Sequence, residues 1–396
     1  MKYDFDTIVD RRNTNSLKWD VKENELPMWV ADMDFKTAPC AIESLNNRVN
    51  HGVFGYSIVP DSWYDAYIKW WKERHNFEIE KQWLIFSTGV VPAISSIVRK
   101  LTTVAENVVI QSPVYNIFYN SIINNGRKVL ESPLVYDDGK YSIDFEDLRE
   151  KLSNPQTTLM ILCNPHNPVG KIWDKETLIK IGKLCKENNV VVLSDEIHCD
   201  ITIPNKTYIP FASVNEECKQ NSVTCISPTK AFNLAGMQSS AVMIANKFLR
   251  DKVERGLNTD EVAEPNVFAT TVATAAFNEG GPWLDALRKY ISDNKDLVTD
   301  YIEKNIPEIK VVDAEATYLM WLDCKTITSD CEKLAAFIRE ETGLYLTAGN
   351  HYGKGGEGFL RMNVACSKKV VTEALKKLDK AIKKFYKKLD LGGNLL

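Results

Sequence analysis

Between residues 158 and 244 the chain repeats one unit: a short β-prone run, polar residues at its C-terminal end, then a helical or loop stretch. The runs are Leu159-Met160-Ile161-Leu162, Val190-Val191-Val192-Leu193, Val223-Thr224-Cys225-Ile226 and Ala241-Val242-Met243-Ile244, with a helix expected from Lys175 to Asn188. Short β-branched runs separated by helices build a mostly parallel sheet, and in an open sheet of that kind ligands bind beyond the carboxyl ends of the strands. Three of the runs end in polar groups: Asn164 and Asn167 after the first, Asp195 after the second, and Ser227, Thr229 and Lys230 after the third. One edge of the sheet therefore collects the chemistry.

Lys230 stands out within that edge. Hydroxyls precede it and Phe232, Leu234 and Ala235 follow it, so its amine reads as desolvated, which lowers a lysine pKa. Such an amine is the nucleophile needed to form a Schiff base with an aldehyde, whereas a solvated loop lysine has no such chemistry. Upstream, Trp83-Leu84-Ile85-Phe86 reads as a strand, and Ser87-Thr88-Gly89-Val90-Val91-Pro92 opens a helix through Ile94, Ile97, Val98 and Leu101. The free N–H groups about Gly89 and Val90 form a phosphate seat or an ordinary strand-to-helix joint. Tyr115 follows the expected strand Val108-Val109-Ile110, where an aromatic can stack on a flat ring.

The rest of the chain reads as scaffold. Residues 26–35 form an arm and a turn whose Asp32 and Asp34 are caps or solvated groups. Asp61-Ser62 signals an N-cap before a helix with Trp63, Tyr67, Trp70 and Trp71 on one core face. Gly353 to Gly358 is a flexible loop, and Arg361 after it is either a bidentate carboxylate clamp or a structural ion-pair partner. A last helix from Lys368 turns Val371, Leu375, Leu378, Ile382 and Phe385 inward, and the tail from Asp390 to Leu396 reads as frayed.

At 396 residues the chain exceeds the usual size of a single core, so a large and a smaller domain are expected. A net charge of -4 gives no reason to expect nucleic acid or an acidic membrane as partner. No apolar run approaches the ~20 residues of a membrane span, and the acidic start lacks the apolar region of a signal peptide, which points to the cytoplasm. Nine cysteines without a C-x-x-C pair and five dispersed histidines suggest reduced core thiols and no metal site.

Asn164-Pro165-His166-Asn167-Pro168-Val169-Gly170, Ser194-Asp195-Glu196-Ile197-His198 and Ser227-Pro228-Thr229-Lys230 fall in that order on successive expected strands. Together they resemble the fold-type I, aspartate aminotransferase-like superfamily of pyridoxal-phosphate (PLP) enzymes. Residues 28–35, 194–198 and 230–236 resemble, within it, the MalY/PatB-like C–S lyases, and the likeness spans nearly the whole chain. The resemblance implies that Lys230 binds the PLP aldehyde and moves the substrate α-proton, while Asp195 pairs with the ring nitrogen. It also implies that Asn167 bonds the ring oxygen, Tyr115 stacks on the ring, and Gly89, Val90, Ser227 and Thr229 hold the phosphate. Tyr56 would reach in from a neighbouring subunit and Arg361 would clamp the substrate carboxylate. His198 stands where many aminotransferases carry tyrosine and is either a ring-oxygen contact or a core histidine. Many aminotransferases carry arginine eight positions after the lysine, where this chain has Gln238.

The expected architecture is an α/β fold: an arm (1–44) belonging to the small domain, a large PLP-binding domain (45–285) with a mainly parallel sheet between helices, and a C-terminal α+β small domain (286–396). The resemblance further implies a homodimer with shared active sites and β-elimination from L-cystathionine or a related L-cysteine S-conjugate to pyruvate, ammonia and a thiol. Transamination by the same residues is the alternative, and a PLP-fold regulatory or protein-binding module is a third.

Overall fold

The computed structural model describes residues 3–390. Its centre is a seven-stranded sheet with spatial order Leu84–Ser87, Ser240–Met243, Ser222–Ile226, Val191–Asp195, Thr157–Cys163, Asn107–Ile110 and Lys128–Glu131. All neighbours are parallel except Ser240–Met243, which runs antiparallel to both of its neighbours. The mostly parallel sheet expected from the strand spacing is therefore present, with one reversed strand.

The unbroken apolar runs have a simple cause. Successive side chains point to opposite faces of a strand, and this sheet is covered on both. Leu159, Ile161 and Cys163 pack with Ile94, Ile97 and Val98 of the Val90–Leu101 helix, while Met160 and Leu162 pack with Leu178 and Ile181 of the Lys175–Glu187 helix. Each such fully buried side chain stabilises by roughly 1.5–3 kcal/mol relative to exposure.

A second, antiparallel sheet has the order Lys310–Val311, Leu319–Asp323, Phe359–Asn363, Thr347–Ala348. Leu360 and Met362 face the core shared with Val371, Leu375, Leu378, Ile382 and Phe385 of the Lys368–Asp390 helix, which are all buried as expected. By the two-residue period Arg361 and Asn363 point the other way. The large sheet lies wholly within residues 45–285 and the small one after 286, which supports the division into two domains that we propose. The N-terminal arm joins the second region: Leu26–Pro27 pairs in parallel with Leu344–Tyr345.

Trp63, Tyr67, Trp70 and Trp71 are buried on one face of the Asp61–His75 helix. Its N-cap is Pro60 rather than Asp61, and the Asp61 side chain instead accepts from Lys81 at 2.6 Å. Residues 391–396 of the expected frayed tail lie outside the described residues.

Candidate active site

Beyond the C-terminal ends of the parallel strands lies a cavity of about 280 Å³. Strand Thr157–Cys163 delivers Asn167 to it, Val191–Asp195 delivers Asp195 and His198, and the loop after Ser222–Ile226 delivers Thr229 and Lys230. Tyr115 lines the same space from the loop after Asn107–Ile110. Asp195 is 4% exposed, and burial raises its carboxyl to about 7, although Oδ1 accepts from the Ile197 N–H at 3.1 Å. His198 is also buried. Desolvation, with Lys230 and Arg361 nearby, lowers it to about 3, so the ring is neutral at neutral pH and its Nδ1 has no partner.

The same cavity also offers hydrogen-bond donors suited to an anion. Gly89 and Val90 line it at the start of the Val90–Leu101 helix, where the N–H groups of Val90 and Val91 precede the first intrahelical acceptor. Thr229, Gln238 and Ser239 line it as well, and the Ser239 hydroxyl is buried without a partner. Ser227 stands behind this wall rather than in it: its hydroxyl is 2.7 Å from the Thr229 hydroxyl and donates to the Ser239 carbonyl. Ser239 was not legible beforehand, since a serine pair before a strand carries no motif.

Lys230 sits where this cavity meets a larger one of about 700 Å³, lining both. Burial, reinforced by the nearby Arg361 charge, pushes its amine down to about 8. The amine donates to the Ala31 carbonyl at 2.5 Å, and the buried Tyr318 hydroxyl donates to the same oxygen at 2.9 Å. Neither Ala31 nor Tyr318 carries a side-chain signal in the sequence. Arg361, 6% exposed, lines the larger cavity. Its Nη2 donates to the Trp29 carbonyl at 2.8 Å, its Nη1 lies 3.4 Å from Asn167 Oδ1, and its Nε has no partner. It is not an ion-pair residue among the described residues, which favours the clamp reading left open above.

The segment carrying Ala31 is held from three sides. Asn363 Nδ2 donates to the Val30 and Asp32 carbonyls, and Asn233, three residues past Lys230, bonds Met33 and the Phe35 carbonyl. Asp32 and Asp34 are neither caps nor solvated groups. Arg11 reaches both, at 2.6 and 2.7 Å, and Lys18, 1% exposed, lies 3.0 Å from Asp34, which also accepts from the Trp19 indole. These partners lie 15 to 23 positions away, beyond any local pattern.

One predicted residue and one unpredicted cluster fall elsewhere. Tyr56 is fully exposed, on an irregular segment with Val53, Phe54 and Ile58 also exposed, and does not meet Lys230 within one chain. His75, Cys199 and Asp200 converge, which their sequence spacing did not suggest. Asp200 Oδ1 there accepts from the Trp70 indole and lies 3.0 Å from His75 Nε2, and Arg74, Lys206 and Arg288 line the same cavity. That excess of positive charge disfavours a cation.

The profile of class I and II aminotransferases matches residues 25–378 of this sequence. The chain belongs to that family. Within it, the chain is 41% identical to cystathionine β-lyase PatB of Bacillus subtilis, covering 96% of this chain and 99% of that protein. It is 33% identical to protein MalY of Escherichia coli, with 96% and 99% covered. Cystalysin from Treponema denticola, whose crystal structure contains a pyridoxal 5'-phosphate cofactor, superposes with a TM-score of 0.94 at 35% identity, covering 97% of this chain and all of that one. These likenesses carry the fold as expected, including the mixed, mostly parallel sheet between helices.

Proposed function

We propose that this protein is a PLP-dependent C–S β-lyase acting on L-cystathionine or related L-cysteine S-conjugates. The observation that carries the reading is the convergence of a desolvated amine, Lys230, a buried carboxyl, Asp195, and an under-satisfied guanidinium, Arg361, about two joined cavities. The full-length likeness to PatB, MalY and cystalysin supports it.

The smaller cavity fits PLP by its donor set. The orphaned Ser239 hydroxyl, Thr229 and the Val90 and Val91 amides suit a phosphate; Asp195 suits a pyridine nitrogen; Tyr115 offers a ring face. When bound, the group supplies an electron-withdrawing ring that takes up charge left at the substrate α-carbon.

The protein's own part follows from the geometry. Arg361 binds the substrate carboxylate through the donors that Trp29 and Asn167 leave free, fixing the α-carbon beside Lys230. The lysine, whose amine burial brings down to about 8 and so within reach of deprotonation near neutral pH, takes the α-proton in its uncharged form. Asp195 ionises against a protonated ring nitrogen and holds that proton in place. Neutral His198 and Asn167 offer hydrogen bonds to the ring oxygen. In net terms one thioether and one water give a thiol, pyruvate and ammonia.

The exposed Val53, Phe54, Tyr56 and Ile58 support a homodimer in which Tyr56 completes the neighbour's site. The nine free cysteines support a reducing, cytoplasmic setting, and no helix among the described residues is long and apolar enough to cross a membrane. The deciding experiment is product analysis with L-cystathionine: pyruvate, ammonia and thiol should appear in equal amounts without added keto acid. A requirement for a keto acid, with the C–S bond intact, would establish transamination instead.

A further inference from the structure

The larger cavity extends well past the groups that handle the amino-acid end of a substrate. Its far wall is the helix Cys331–Thr342, which presents Glu332, Ala335, Ala336 and Arg339. Residues spaced three, four and seven apart share one helix face, and the two alanines between the charged ends leave room for a substituent.

The charges lining this space can be assigned one by one. Arg361 is committed to the substrate carboxylate and Lys230 to the cofactor end. Arg339 is already answered: its Nε and Nη2 donate to Glu25 at 2.7 and 2.9 Å, and its guanidinium lies 3.6 Å over the Tyr345 ring. Tyr345 in turn stacks on Trp29 at 4.9 Å, making a fixed aromatic side wall. Glu332 is the remaining charge. Its carboxylate has no hydrogen bond or ion pair among the described residues, and the nearby His351 likewise has none.

We propose that Glu332 forms a distal subsite that selects cysteine thioethers whose S-substituent ends in an ammonium group. The inference rests on the lyase reading for where the amino-acid end lies. The methylene stem of the substituent passes along Trp29, Tyr345 and Ala336, and its ammonium reaches the carboxylate. A neutral or anionic tail gains nothing there.

The test compares S-(3-aminopropyl)-L-cysteine with S-butyl-L-cysteine on the holoenzyme. These differ only in an ammonium for a methyl at one chain end. The wild type should favour the aminopropyl conjugate by about fivefold in kcat/KM, through KM, the size of a partly solvated ion pair. Glu332→Gln should bring the ratio close to one. Glu340→Gln, which removes the same charge from the same helix outside the cavity, should leave the preference in place. Dissociation constants read from the cofactor's absorbance should show the same ratios. If neither conjugate yields pyruvate but the binding ratios hold, the lyase reading fails and the subsite stands. A preference that survives in Glu332→Gln, or a wild type that favours the butyl conjugate, overturns the subsite and leaves Glu332 as a helix N-terminal charge.

Discussion

The two cavities that meet at Lys230 are built by different means. The smaller one is made of strand ends: Asn167, Asp195, His198 and Thr229 each follow a buried strand of one sheet, and backbone ladders fix their spacing. The larger one is assembled from remote pieces. Arg361 comes from the second sheet, Trp29 and Ala31 from the N-terminal arm, and Tyr345 from beside that arm. Apart from the two-residue ladder between Leu26–Pro27 and Leu344–Tyr345, side-chain bonds to carbonyls and a partly buried cluster of charges hold these together. A cavity held by a sheet should tolerate loss of one outlying contact; one held by ionic and side-chain ties should loosen when a single tie is cut.

The largest effect belongs to Lys230, which lines both. Lys230→Ala should lower turnover by about a thousandfold or more. Borohydride reduction of the wild type should place the cofactor label on the Lys230 peptide, and a label found on another lysine would break the assignment. Next, Asp34→Asn should destabilise the fold by about 2 kcal/mol in denaturant unfolding, because Arg11 and the buried Lys18 lose one of the two carboxylates they share, the nearer one for Lys18. The same variant should impair substrate binding more than cofactor binding; an equal loss in both would erase the distinction between the cavities.

Arg361→Lys should lower kcat/KM by about 50-fold with cofactor affinity little changed, since a point ammonium cannot reproduce the forked contact. Cofactor loss of the same size would show that Arg361 belongs to the smaller cavity after all. A further effect, read as a pH slope, concerns the contact that links the two sheets. Lys295 donates to the Ala316 carbonyl at 3.0 Å, and Ala316 forms a bridge with Thr202. Burial lowers this lysine from 10.5 to about 7. Between those values the unfolded chain holds a proton that the folded one lacks, so stability should rise with pH across roughly 7 to 10.5. The slope should be at most about 1.4 kcal/mol per pH unit, and below pH 7 the penalty is fully present. Lys295→Met should remove that slope from chemical denaturation measured at several pH values.

The same contrast explains what the sequence disclosed. Asp195, Asn167 and Lys230 were legible because each sits at a fixed offset from an apolar run, and a strand end in an open sheet has one geometric meaning. The fold followed from the same runs, with the direction of Ser240–Met243 unmarked because a reversed strand has the same composition as its neighbours. Residues 28–35 could be matched as a block, yet nothing local shows that Asp34 answers Lys18 or that Asn233 binds Met33 and Phe35. Those pairings arise from tertiary placement. Ala31 is the extreme case, for it acts through a carbonyl that every residue possesses.

That carbonyl also bears on timing. Ala31 accepts from both Lys230 and Tyr318, so the lysine can leave without releasing the arm, because the tyrosine keeps its grip. Under the proposed function, the oxygen would serve as a berth for the amine in every interval when it is covalently free. An untethered lysine would have to search for its position at each cycle; on that proposal this one would return to a fixed address, with Tyr318 holding the arm while it is away.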